Sequence, residues 1–547
     1  MFGRQSRTAQ LDTGTIMALR HTAFLLCILG LATTLVLGPN GFWGWALVAA
    51  FVFLVAVGIC DLLQQRHSVL RNYPVIGHVR WLVEMIRPEI RQYLLESDSD
   101  ATPFSRAQRS LVYRRAKEDP SDHPFGTLKD VYADDYEFIQ HSLTPVVVPD
   151  AASFRVTIGN HQCQQPYSAS VFNISAMSFG ALSANAIRAL NAGAAGGGFY
   201  HDTGEGSLSE YHREHGGDIV WQIASGYFGC RDEQGRFDPQ RFAAQAASPQ
   251  VKMIELKLSQ GAKPGHGGVL PGPKVTSEIA ATRGVPVGID CISPARHSAF
   301  GTPSELLAFV QQLRVLSGGK PVGIKLCIGL PWEFMAIVKA MLATGVIPDF
   351  IVVDGAEGGT GAAPVEFSDH IGVPMREGLL FVHNTLVGAG LRDKIRIGVA
   401  GKLVSAFDLA AVLAIGADWA NSARGFMFAL GCIQSMSCHT NRCPTGIATQ
   451  DTARSRALVV PDKAERVQRF HARTVQALAE ILAAAGLNHP DDLQPHHLVH
   501  RISTTQIRQF DRMHYFAEPN DLVEDRAASG FYRDNWRRAR PDRFAPA

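Results

Sequence analysis

Residues 22–60 contain no charged side chain, and the run is broken once, at Gly38-Pro39-Asn40-Gly41. A bilayer crossing takes about 20 apolar residues, so the stretch has room for two spans, near Thr22–Leu37 and Phe42–Cys60. Arg20 precedes the run and Arg66, Arg71 and Arg80 follow it. By the positive-inside rule this predicts a two-pass inner-membrane hairpin with both termini and the soluble part in the cytoplasm. Trp43 and Trp45 would sit at the far interface. A cleaved signal peptide accounts for the first span only, and a hairpin buried in a soluble core is the other alternative. Beyond Asp61 the composition turns charged, and Trp81–Leu95 spaces its apolar residues as a helix does. Its basic and aromatic residues suit either an anionic membrane face or packing on the rest of the chain.

From Val171 short apolar runs alternate with helical stretches, the pattern of repeated βα units. Strands are expected near Val171–Ala176, Gly198–His201, Met253–Lys257, Val285–Asp290, Pro321–Leu326, Phe350–Asp354, Ile395–Ala400 and Asp418–Ser422. Helices are expected near Ser183–Ala194, Pro303–Leu316, Trp332–Thr344, Glu377–Ala389 and Ser405–Ile415. Eight strands over this span predict an α/β fold of the (β/α)8 TIM-barrel type. A doubly wound open sheet is the alternative, but no G-x-G-x-x-G opens the first helix. The domain reading is a membrane segment over 1–66, a helical linker over 67–150, the barrel over 151–455 and a helical extension over 456–547.

Composition narrows the chemistry. The 547 residues carry a net charge of +2, which gives no reason to expect a nucleic-acid surface. Three of the nine cysteines, Cys432, Cys438 and Cys443, fall within twelve residues. Free buried thiols are the bland reading of such a run. A structural zinc usually takes four ligands, often in C-x2-C pairs; with gaps of five and four and no fourth cysteine nearby, a three-cysteine iron-sulfur site fits better. The polar and glycine-rich residues that follow the strands, Ser178, Thr203-Gly-Glu205-Gly, Lys257, Asp290, Lys325, Asp354 and Gly358-Gly-Thr-Gly361, would surround one barrel mouth.

The segment Gly431-Cys432-x5-Cys438-His-x2-Arg442-Cys443-Pro444-Thr-Gly-Ile-Ala-Thr-Gln450 closely resembles the [3Fe-4S] loop of the FMN-binding domain of glutamate synthases. The resemblance runs from about residue 130 to 455 and includes Lys257-Leu-Ser-Gln260-Gly-Ala-Lys263-Pro-Gly. It implies a [3Fe-4S] cluster on Cys432, Cys438 and Cys443, and FMN along Met177 and Ser178. The flavin phosphate would lie on the loops of Gly401 and Gly425, with Lys325 at the flavin N1–C2 edge, Gly359 in the glycine-rich loop of the mouth, and Lys263 between flavin and cluster. Lys257 and Arg283 would grip the carboxylates of 2-oxoglutarate, and Glu205 would shuttle a proton or hold ammonia.

The function implied is reduction of 2-iminoglutarate, formed from 2-oxoglutarate and ammonia, to L-glutamate. Electrons would come from ferredoxin or an NADPH-oxidising subunit, and ammonia from solution or a separate glutaminase, since no glutaminase domain is expected in this chain. His266 and Val269 stand where the large bacterial enzymes carry Glu and Gln. This leaves open an N-methylglutamate synthase-like enzyme using an amine, and a membrane electron-transfer protein stands as an alternative from another class.

Overall fold

The computed structural model describes residues 13–99, 102–120, 122 and 124–547. The chain divides into two compact units, residues 1–100 and 101–547.

In the first unit, α1 (Thr13–Val36) and α2 (Gly41–Leu63) are joined by the Gly38–Asn40 turn and pack on each other. Glycines permit the approach: a Cβ at Gly30 would reach Phe51 Cε1 at 2.5 Å, and one at Gly58 would strike the Phe24 ring. Among the described residues only α2 is long and apolar enough to cross a bilayer; the apolar part of α1, Arg20–Val36, is shorter. Two packed helices are therefore present, but the expected two-span membrane hairpin is not supported. Two further helices follow, α3 (Ser68–Asn72) and α4 (Gly77–Ile90).

The second unit begins with α5 (Arg106–Lys117), started by a reciprocal cap in which Ser105 and Gln108 bond each other's backbone. Eight parallel strands then close a barrel: β1 (Phe172–Ile174), β2 (His201–Asp202), β3 (Ile219–Ile223), β4 (Val251–Lys257), β5 (Val322–Leu326), β6 (Phe350–Asp354), β7 (Arg396–Ala400) and β8 (Trp419–Ser422). The connections include α6 (Ala184–Gly197), α7 (Ser277–Arg283), α8 (Pro303–Leu316), α9 (Pro331–Thr344), α10 (Met375–Gly388) and α11 (Ala406–Ile415). Ser183, Thr276, Thr302 and Ser405 cap four of these with side-chain oxygens.

One expected strand is corrected. Val285–Asp290 is an exposed loop, and the missing barrel strand is Ile219–Ile223, buried along its whole length. The run Val-Pro-Val-Gly-Ile reads as strand by composition, but Gly288 takes a φ of +72° and only Cys291–Ile292 pairs, antiparallel, with Val269–Leu270. The barrel count stayed at eight because one strand was missed and one was supplied.

The hairpin Arg155–Ile158/Tyr167–Ser170 bonds to the opposite end of the barrel, through Asn160 N–H to Asp349 Oδ1 at 2.8 Å and Gln164 N–H to Gly319 O at 2.8 Å. This leaves the C-terminal mouth as the open end. After β8 come α12 (Arg424–Leu430) and, beyond the cysteine loop, α13 (Val460–Ala485), which packs on α5, α6, α11 and α12. A Cβ at Gly193 of α6 would meet Val467 Cγ1 at 2.5 Å, so the glycine sets that close contact. The C-terminal region is not wholly helical: Leu498–Ser503 and Gln506–Gln509 form a hairpin that Glu137–Ile139 extends to three strands.

Candidate active site

A cavity of about 1430 Å³, counted out to its mouth, occupies the C-terminal end of the barrel. All eight strands or the loops that leave them line it. Seven Lys and Arg side chains (Lys257, Lys263, Lys274, Arg283, Lys325, Lys402, Arg424) face two carboxylates, Glu205 and Asp354. Such an excess of cation in a partly buried space suits an anionic ligand.

At its centre Lys257, the last residue of β4, places Nζ 2.9 Å from Glu205 Oε2 and 3.3 Å from Gln260 Oε1. Burial by itself would raise the Glu205 pKa; Lys257, then Arg283 and Lys263, outweigh it and hold the group below its ordinary value. The glycine-rich loop lies directly on this pair, and a Cβ at Gly268 would collide with Glu205 Oε1. Any larger residue there would require the Glu205 carboxylate to shift.

Lys325 on β5 is buried, 3.6 Å from Asp354 Oδ2. Burial opposes its charge, but Asp354, Glu255 and Asp202 together raise its pKa. Glu255 accepts from Gln222 Nε2 at 2.6 Å, and burial plus Glu255 push Asp202 well up. Asp354 also accepts from Gly261 N–H at 3.0 Å, which ties the glycine-rich loop to β6. Lys263 Nζ donates to Ala362 O at 2.9 Å, and burial lowers its pKa.

Arg283 ends α7. Its Nη2 donates to Phe179 O at 3.0 Å and Ser178 Oγ at 3.3 Å, its Nη1 lies 3.7 Å from Cys291 Sγ, and the guanidinium sits over the Phe228 ring. Nε is buried with no hydrogen-bond partner in the structure. Met177, Ser178, Gly359 and Gly401 line the cavity too, whereas Gly425 turns into α12 beside Ser422 and Phe470.

Cys438 lines the cavity, 3.8 Å from Arg424 Nη1; Cys432 and Cys443 are buried behind it. Burial pushes Cys432 up to about 11. Burial opposes the Cys443 thiolate as well, but the Thr445 hydroxyl and nearby backbone N–H groups bring its pKa below the ordinary value. No group of three or more metal-ligating side chains converges among the described residues, so the expected three-cysteine ligand set is not assembled here.

Sequence reasoning missed Gln222, because β3 was missed, and it missed Lys274. The Lys274 ammonium donates to Ala181 O, Cys438 O and Ala448 O at 3.1, 3.2 and 3.3 Å, fastening the cysteine loop to the mouth. The buried run Ile219-Val-Trp221-Gln-Ile223 was the available signal for the first; nothing local marked the second.

The conserved region of glutamate synthase matches residues 132–488. The chain belongs to the glutamate synthase family. It is, with that family, an FMN-dependent oxidoreductase. The glutamate synthase large subunit-like protein YerD of Bacillus subtilis (strain 168) is 37% identical over 519 residues, 86% of this chain and 98% of that one. An archaeal-type NADPH glutamate synthase of Thermotoga neapolitana is 35% identical over 320 residues, 58% of this chain and 60% of its own length. A ferredoxin-dependent glutamate synthase of Antithamnion sp. is 35% identical over 275 residues, 50% of this chain and 17% of its own. The chain therefore spans about three fifths of the archaeal-type glutamate synthase it matches.

Proposed function

We propose that the chain reduces 2-iminoglutarate, formed from 2-oxoglutarate and ammonia, to L-glutamate at the barrel mouth. The observation that carries this reading is the Lys257–Glu205 pair, roofed by Gly268, inside a cavity with seven cations and two carboxylates.

The donor set fits FMN: a buried ammonium at Lys325, glycine backbone at Gly359 and Gly401, and Lys402 and Arg424 at the ends of β7 and β8, the loops where barrels commonly hold phosphate. When bound, FMN supplies a hydride to an electron-poor imine carbon. The chain's residues do the rest. Lys257 and Arg283 attract and orient two carboxylates, with charge-assisted bonds that fix a planar acid. Glu205, ionised by its cationic neighbours, accepts the hydrogen bonds of an ammonium or amine and stands ready to take its proton.

The sequence spacing of Cys432, Cys438 and Cys443 is what keeps a [3Fe-4S] cluster in the proposal, although the three thiols do not converge in this structure; ferredoxin or an NADPH-oxidising subunit is the proposed electron donor and a separate glutaminase an ammonia source. The apolar α2 supports a membrane-anchored protein with its barrel in the cytoplasm. Val269, an apolar residue in the cavity wall, favours the second reading, an alkylamine in place of ammonia.

Anaerobic incubation with dithionite-reduced methyl viologen, 2-oxoglutarate and ammonium should yield L-glutamate. Methylamine in place of ammonium separates the two readings, and flavin reoxidation without either product rejects both. Iron and acid-labile sulfide assays with low-temperature EPR test the cluster independently; iron-free yellow protein prepared without air would remove it from the proposal.

A further inference from the structure

We propose that α4 lies along the surface of a bilayer carrying anionic headgroups, held there by the end of α2. The proposal rests on the reading of α2 as a membrane helix and adds a second, separate contact. At 23 residues α2 is about 34 Å long, matched to a hydrocarbon core of about 30 Å. Its last turn carries Asp61, which is buried and faces the chain that follows. The carboxylate accepts from Val75 N–H at 2.9 Å and bonds His78 Nε2 at 2.9 and 3.0 Å. Leu70 and Pro74 are buried in the same knuckle, Val75 takes a φ of +68°, and a Cβ at Gly77 would meet Leu70 Cδ2 at 2.9 Å. The start of α4 is thereby fixed to the end of α2.

The helix so placed is amphipathic, and its apolar side stands exposed among the described residues of the first unit. Val79, Leu82, Val83 and Ile86 share one face at helical spacing and stand 41–54% exposed. Trp81 and Tyr93 are exposed as well; amphipathic rings of this kind favour the headgroup level. Arg80, Arg87 and Arg91 form a stripe beside the apolar face. Arg87 pairs with Glu84 at 3.6 Å and Arg91 lies 4.0 Å from Glu96, loose surface contacts. Over residues 64–96 five arginines stand against three glutamates, so the segment is cationic on balance. An apolar face flanked by arginine, attached to the end of a membrane-length helix, is matched by acyl chains below and anionic headgroups beside it.

The full chain reconstituted into vesicles with a photoactivatable phospholipid, followed by peptide mapping, tests this. In vesicles of phosphatidylcholine with phosphatidylglycerol, adducts are expected on two separate segments, Gly41–Leu63 and residues 79–90. The Leu82→Asp/Ile86→Asp variant should lose α4 adducts at least about threefold and keep those on α2. The triple variant Arg80→Gln, Arg87→Gln, Arg91→Gln should lose them only where phosphatidylglycerol is present. Adducts on α2 with none on α4 would overturn this inference and leave the membrane reading standing. An absence of adducts on both would overturn the two together. Equal α4 labelling in phosphatidylcholine alone would overturn the anionic surface, and protein cross-links at residues 79–90 in place of lipid ones would assign the face to a second copy.

Discussion

Lys257 and Glu205 meet at 2.9 Å although they leave different strands of the barrel, and the loop carrying Gly268 closes over them. Lys257 holds Glu205 in its charged form in a space that would otherwise disfavour that charge. Lys257→Met should lower kcat/KM for glutamate formation by about 10²- to 10⁴-fold. It should also raise the Glu205 pKa, so that the acidic limb of the rate profile moves to higher pH. Flavin content, read from the visible spectrum, should be unchanged, and Glu205→Gln should abolish that limb.

Gly268→Ala tests the roof without touching a charged group. The new methyl collides with the Glu205 carboxylate, and the loop must lift or the pair must separate. Turnover should fall about 10²-fold, the loss that a misplacement near 1 Å brings. The melting temperature should move little, because the loop carries no core residue at that point. Unchanged turnover would mean the pair takes no part.

Lys325 balances three carboxylates in the barrel interior. Lys325→Met would leave Asp354, Glu255 and Asp202 without their cation, and should destabilise the fold by about 3–5 kcal/mol, the range for breaking a buried pair. Denaturant melts measure this. The same protein should bind FMN more weakly in a fluorescence titration.

Acid should destabilise the second unit before its carboxylates titrate. Burial lowers His201 and His471 to about 3 and His297 and His383 to about 4, all from 6.5. Between those values and 6.5 the unfolded chain binds more protons than the folded one, so stability rises with pH across that window and falls as pH drops. Thermal melts from pH 7 to pH 4.5 should show a steady decline, and His383→Asn should flatten its slope.

Five helices of the barrel were legible because local signals mark them: Thr302 with Glu305 starts α8, and Pro331 and Gly345 bound α9; α7, only seven residues long, was not read. The strand at Ile219–Ile223 was not read, since four apolar residues and one glutamine in so short a run carry no period that separates it from Val285–Asp290. Burial between β2 and β4 decides between them, and burial is not local.

The sequence by itself determined one apolar helix of membrane-spanning length, the repeated βα units and the inventory of charged residues after the strands, because hydrophobic period, caps and glycines act within a few residues. The tertiary structure alone decided that Lys257 faces Glu205, that Arg283 reaches back to Ser178 and Phe179, and that Lys274 fastens the cysteine loop. Such pairings depend on which strand ends closure of the barrel brings together, and chain distance has no bearing on it.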